Sequence, residues 1–226
     1  MTTKRRKKLP DRQRAKLLLD AQDYRRRYGA KDDEPFNPLR HIEHDMLLTK
    51  PHCVYGYEKE LVEDDGTEND GQVVFDRFPF LQVTDEVAMG AYEALQPFDI
   101  NKGPKDGSAL MTLCHEIAHV VLHTNKMKTR VGQALKRGLP SKCTSFRTDP
   151  IEEEEANVFG GGLLAPVDVI TPHTRAKDLK LRYRMSLQAA QELIDQVREL
   201  APLLAELRLA RSPKKIRLHS GFGGER

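Results

Sequence analysis

The sequence predicts an α+β chain, with one short run of strands set between helical segments. Three observations carry this. Residues 52–84 mix aromatic and β-branched residues with Gly/Asp/Asn clusters, the pattern of strands and turns. Residues 108–124 and 186–210 carry apolar side chains three or four apart, the helical spacing. The chain has 226 residues, 38% hydrophobic and 31% charged, with no Trp, which describes a modest core with long solvated ends. No window approaches the roughly 18 uninterrupted apolar residues of a membrane-spanning helix.

Taken in order, residues 1–9 are too polar to bury the area that ordering requires. Asp11 to about Arg27 reads as a helix, with Ala15, Leu18, Leu19 and Ala21 on its apolar side and Gly29 as its stop. Pro35 and Pro38 lead into a short helical segment, Leu39 to Leu48. Val54–Tyr57, Gln72–Asp76 and Phe78–Val83 are candidate strands around the acidic loop 58–70, and Pro79 should keep its strand at an edge or split it. Asp85–Leu95 reads as a helix, and Pro97–Gly107 as a loop. The strongest helix runs from Ser108, a good N-cap, to Thr124, before a basic, irregular insertion at 125–149. A second core helix starts at Pro150 or Ile151, where Pro suits the first turn and acids suit the positive helix end, and Pro166 closes it. In the last helical pattern Pro202 should kink or divide the helix, and residues 211–226 read as a polar tail.

The net charge of +3 hides an asymmetry: residues 1–30 carry +8, residues 31–100 carry −12 and residues 101–226 carry +7. The acidic stretch is expected to dock a basic surface, either the chain's own termini or a DNA-binding substrate. Cys53, Cys114 and Cys143 are odd in number and sparse, so no disulfide framework is expected. Lys4–Lys8 is followed by polar residues instead of an apolar run, which argues against a secretory signal. The expected compartment is the cytoplasm. The basic ends are expected to be solvated, and direct nucleic-acid binding is not the expected role.

One string carries chemistry: His115-Glu116-Ile117-Ala118-His119, an H-E-x-x-H motif on an otherwise apolar helix. Residues four apart share a helix face, so two imidazoles can converge on one zinc ion. Glu116 projects beside them as the base for a water whose pKa zinc lowers to about 7. A catalytic zinc needs a third protein ligand and an open position. A metzincin-type histidine is excluded, because Leu122 and Asn125 stand where that pattern needs Gly and His. His123 lies roughly 12 Å along the axis from His115, too far to share the metal with both histidines. It is expected to line the cleft or to be a satisfied core-edge histidine. A carboxylate on the later helix remains. Of the four acids Glu152–Glu155, only one or two can face inward, and Glu153 shares a face with Asn157, Gly160 and Gly161. Small residues there let the two helices approach, which selects Glu153 as ligand. Asn157 would hold a ligating imidazole through its other ring nitrogen.

Other groups are weaker candidates. His41-x-x-His44 could be a second metal pair, but surface histidines are the expected reading, and Cys114 is expected in the core. Tyr92, His123 and Tyr183 are candidate oxyanion donors.

His115–His123, followed by Glu153-x-Glu155-Ala156-Asn157-x-Phe159 and Leu163-Leu164-Ala165-Pro166, resembles the ImmA/IrrE metallopeptidases, which carry HE-x-x-H and then E-x-E-A-N-x-F-A-A-x-L-L-M-P. The resemblance covers about residues 70–170, and Arg182–Ala190 looks like the start of these proteins' downstream helix-turn-helix-like unit. It implies a gluzincin-like, minimal zincin fold, with a small antiparallel sheet packed on the active-site helix and helical extensions at both ends. It also implies that His115, His119 and Glu153 bind Zn²⁺ and that Glu116 is the base. The chain departs from the pattern at Gly160-Gly161-Gly162, at Ala165, and in the 33 residues between His119 and Glu153.

The expected domains are a basic tail and helical segment at 1–50, a zincin-like core at 51–170 and a helical C-terminal region with a basic tail at 171–226. The function that the resemblance implies is that of a bacterial or phage zinc endopeptidase cleaving a protein regulator, such as a helix-turn-helix repressor, to switch stress or mobile-element genes. The alternative is a non-catalytic, zinc-containing regulator that binds a repressor or toxin partner.

Overall fold

A computed structural model describes residues 9–49, 52–62, 68–75, 79–97, 105–136 and 149–211. The architecture is α+β, a small sheet against a larger helical assembly. Helix α1 spans Asp11–Arg27, and Gly29 follows it with φ +79°, a conformation that suits glycine. Two short helices, α2 (Pro38–Arg40) and α3 (Met46–Leu48), flank a π-helical turn at His41–Asp45.

Among the described residues five strands follow: β1 (Val54–Glu58), β2 (Leu61–Val62), β3 (Glu68–Asn69), β4 (Gly71–Phe75) and β5 (Pro79–Thr84). The main sheet has the order β1-β5-β4, while β2 and β3 form a separate antiparallel ribbon. β4 pairs antiparallel with β5, but β1 pairs parallel with it, so the sheet is mixed and not wholly antiparallel. The ribbon and β4 lie in the connection between β1 and β5, and they give the chain room to return in the same direction.

Pro79 also departs from expectation, because β5 is the central strand. Proline is the first residue of β5, where its missing N–H interrupts no ladder. Alternate β5 residues are buried, including Leu81 and Val83.

The remaining helices are α4 (Asp85–Leu95), α5 (Ser108–Lys136), α6 (Pro150–Leu164), α7 (Ala176–Tyr183), α8 (Leu187–Glu199) and α9 (Ala201–Arg211). Side-chain oxygens of Thr84 and Asp149 cap α4 and α6. α5 runs twelve residues past Thr124 into a segment read from sequence as irregular, and Ser108 is its first helical residue. The rest of that insertion lies outside the described residues, as do both basic tails and the centre of the acidic loop. α8 and α9 break at Leu200, with Pro202 in the first turn of α9, where a missing N–H is harmless.

Helix α6 is central, packed between α5 and α1 and touching α8. Its glycines make that possible. A Cβ on Gly160 would stand 3.2 Å from the Cys114–His115 backbone, and one on Gly162 would stand 2.9 Å from Ala21 Cβ. What these glycines cost in helix propensity, up to about 1 kcal/mol each, is offset by close packing on two sides.

Arg25, fully buried, terminates α6. Its guanidinium donates to the carbonyls of Leu163, Leu164, Lys31 and Glu34, at 3.4, 3.1, 2.8 and 2.7 Å. A cation at a helix C-terminus is electrostatically favoured, and these hydrogen bonds offset the desolvation that pushes its pKa down.

Candidate metal centre

The centre forms where α5 crosses α6. The backbone contact at Gly160 brings the histidine-bearing turn of α5 against the acidic first turns of α6. His115 and His119 stand one turn apart and present their Nε2 atoms to each other at 2.9 Å. Glu153 Oε2 lies 3.2 Å from His115 Nε2, and its Oε1 lies 3.4 Å from His119 Nε2.

One donor atom from each of the three residues falls within a 4.8 Å cluster, the one such group of His, Cys, Asp or Glu among the described residues. Ligand atoms about 2.0–2.1 Å from a tetrahedral zinc stand roughly 3.3 Å apart. The donor set and its spacing therefore fit a single metal ion.

The surroundings favour a cation. Burial alone would lower the His115 pKa, but the Glu153 hydrogen bond and the charges of Glu116 and Glu153 outweigh it and move the value up. Glu116 is nearly buried, and burial raises its carboxyl pKa against the opposing pull of the two histidines. β4 lies over it: a Cβ on Gly71 would stand 3.0 Å from Glu116 Cγ. Gly71 lies between the acidic loop and the strand expected from Gln72, and it is the first residue of β4. Its value here is that a bare backbone lets the edge strand close on the carboxylate, which a single sequence cannot signal.

The remaining candidates divide. Asn157 Oδ1 lies 2.9 Å from His115 Nδ1, the nitrogen that faces away from the cluster. His123 is fully buried beyond His119, and its Nε2 lies 2.9 Å from Glu155 Oε2. It neither joins the cluster nor lines an open cleft. Tyr183 is also fully buried, with its hydroxyl donating to the Asp32 carbonyl, while Tyr92 is exposed. Neither His123 nor Tyr183 is open to a substrate carbonyl.

Two of the four acids are buried, as expected in number, but they are not the one that meets the histidines. Glu152 and Glu155 are buried, Glu153 meets the histidines, and Glu154 accepts from the Leu9 amide at 2.9 Å. A helix covered by both α1 and α5 has little free surface to solvate.

His41 is likewise not a surface residue. It is 1% exposed, with Nε2 against the Tyr24 hydroxyl at 2.8 Å and Nδ1 against Asp45 at 3.0 Å. Cys53 and Cys114 are buried free thiols, and burial raises both pKa values. Cys143 lies outside the described residues.

The cluster borders a cavity of about 310 Å³ between α5, α6 and α8. Its lining includes His115, Asn157, Thr112, Gly161, Glu192 and Leu193, so the site opens toward a partly polar recess.

An H-E-x-x-H helix crossed by a carboxylate-bearing helix defines a metallopeptidase-type domain. Residues 100–201 match the Peptidase_M78 model, described as the IrrE N-terminal-like domain. The match spans a little under half of the chain, and over those residues the chain is similar to the ImmA/IrrE family. No curated protein and no solved structure matched the chain. Among the described residues, no helix is long and apolar enough to cross a membrane.

Proposed function

We propose that this protein is a zinc-dependent endopeptidase, with His115, His119 and Glu153 holding the metal and Glu116 as general base. The observation that carries it is the convergence of one donor atom from each of the three residues within 4.8 Å, beside the buried carboxylate of Glu116. Three protein donors suit a catalytic zinc, because structural sites usually close with four.

Zinc bound there supplies Lewis acidity and a nucleophile at neutral pH. Glu116 takes the proton of the attacking water on its carboxylate and returns it to the leaving amine nitrogen. Asn157 holds the His115 ring through Nδ1. The edge of β4 away from β5 has no strand partner among the described residues, and an extended peptide can add there as a further strand. The recess beside His115 then takes a neighbouring substrate side chain.

The proposed substrate is a DNA-binding repressor, and the proposed setting is the bacterial or phage cytoplasm. The proposed organisation places the zincin-like core at residues 51–170, with helical regions on either side. Glu116→Gln should retain zinc and lose cleavage of a co-incubated repressor, and a chelator should abolish cleavage by the unaltered protein. Continued proteolysis by Glu116→Gln would reject the mechanism.

A further inference from the structure

The hydrogen bonds around His119 continue past it and end on the N-terminal helix. We infer that His123, Glu155 and Gln13 form a positioning relay that fixes the ring orientation and tautomer of His119 as a metal ligand. This rests on the metal-centre reading above and extends the site to α1, outside the matched residues 100–201.

The proton inventory leaves one arrangement. His119 Nε2 faces the donor cluster, and a ligating nitrogen carries no proton, so the His119 proton is on Nδ1. That Nδ1 lies 3.0 Å from His123 Nδ1, which must therefore accept. His123 then carries its proton on Nε2 and donates to Glu155 Oε2 at 2.9 Å. The carboxylate accepts from Gln13 Nε2 through its other oxygen, Oε1, and Lys126 Nζ stands 3.2 Å from Oε2.

Both ends of the chain are thus defined, a carboxylate at one and the donor cluster at the other. His123 is 0% exposed, so bulk water does not reach its ring to replace either partner. Partners that orient a ligating histidine are ordinarily carboxylates, carbonyls or waters in direct contact. Here an intervening imidazole carries the orientation one residue further, and Gln13 and Lys126 hold the carboxylate that anchors it. His123, Glu155 and Gln13 are positioning residues, because none touches the donor cluster itself.

The test measures Zn²⁺ affinity by competition with a chromogenic chelator, and the visible absorption of the Co²⁺-substituted protein. His123→Leu should weaken zinc binding about 10–100-fold, the usual cost of losing such a partner, and should alter the Co²⁺ bands. The near-isosteric Glu155→Gln should cause a smaller loss with a band shift in the same direction. If His123→Leu does not fold, Glu155→Gln decides alone. Unchanged affinity and unchanged Co²⁺ bands in the folded variants would overturn the relay. Failure of the unaltered protein to bind Zn²⁺ or Co²⁺ would overturn the metal-centre reading itself.

Discussion

The chain carries two histidine pairs at near-helical spacing, and they have opposite fates. His41 and His44 lie in a π-helical turn, His115 and His119 in a regular α-helix. Four residues on an α-helix return a side chain to the same face, whereas three residues in the wider π turn do not. His44 accordingly points to solvent while His41 is buried. Both ring nitrogens of His41 are used, by Tyr24 and Asp45, and Tyr24, Tyr28 and Phe36 surround the ring. At His115 and His119 each ring is held through Nδ1, by Asn157 and His123, and Nε2 is turned toward Glu153. What separates a structural histidine from a candidate ligand is therefore whether one nitrogen is kept back from the fold. Spacing alone does not decide it.

Four measurements can break or sharpen that contrast. The largest effect is expected from His119→Ala, which should lose stoichiometric zinc in metal analysis, whereas His44→Ala should keep it. Equal zinc content in the two variants would erase the distinction. Next, His41→Ala should cost about 3 kcal/mol in urea unfolding, from a lost buried ring and two unpaired partners, with zinc content unchanged.

Gly160→Ala should then cost about 1–3 kcal/mol, because its methyl group would press on the Cys114–His115 backbone at 3.2 Å. Weakened zinc binding should accompany it, since the same contact sets the distance from Glu153 to the histidines.

The smallest effect is in pH. Burial lowers the His41 pKa below its ordinary value of 6.5, against the pull of Asp45. Below pH 6.5 the unfolded chain binds the proton more readily, so the contribution of neutral His41 is present above that value. It declines as pH falls from 6.5 toward the folded-state pKa. The stability gap between the unaltered protein and His41→Phe should narrow over that range. A constant gap would remove His41 as the source.

Much of this was legible in the sequence. The bounds Asp11–Arg27 and Asp85–Leu95 follow from local signals: a glycine stop, acids in a first turn and apolar spacing. The relation of His115, Glu116 and His119 follows from helix geometry once the residues are helical. Other features rest on contacts that local signals do not encode. Pro79 read as an edge marker because its lost N–H was weighed without its place at the strand start. The sequence singled out Glu153 and left the burial of Glu152 and Glu155 unassigned, because an acidic run says nothing of helices packed on both sides.

By itself, the sequence determined which residues could bind a metal and which helix would carry the histidines, because a 3.6-residue turn makes those relations local. Only the tertiary structure decided how closely Glu153 meets them and what lies behind them. It seats α6 on α5 at a glycine, turns Glu153 to the cluster and Glu155 to His123, and brings Gln13 from the opposite end of the chain. Those contacts depend on the distance between helices and on what covers each face, and residues 32 to 142 positions apart meet only when the core closes.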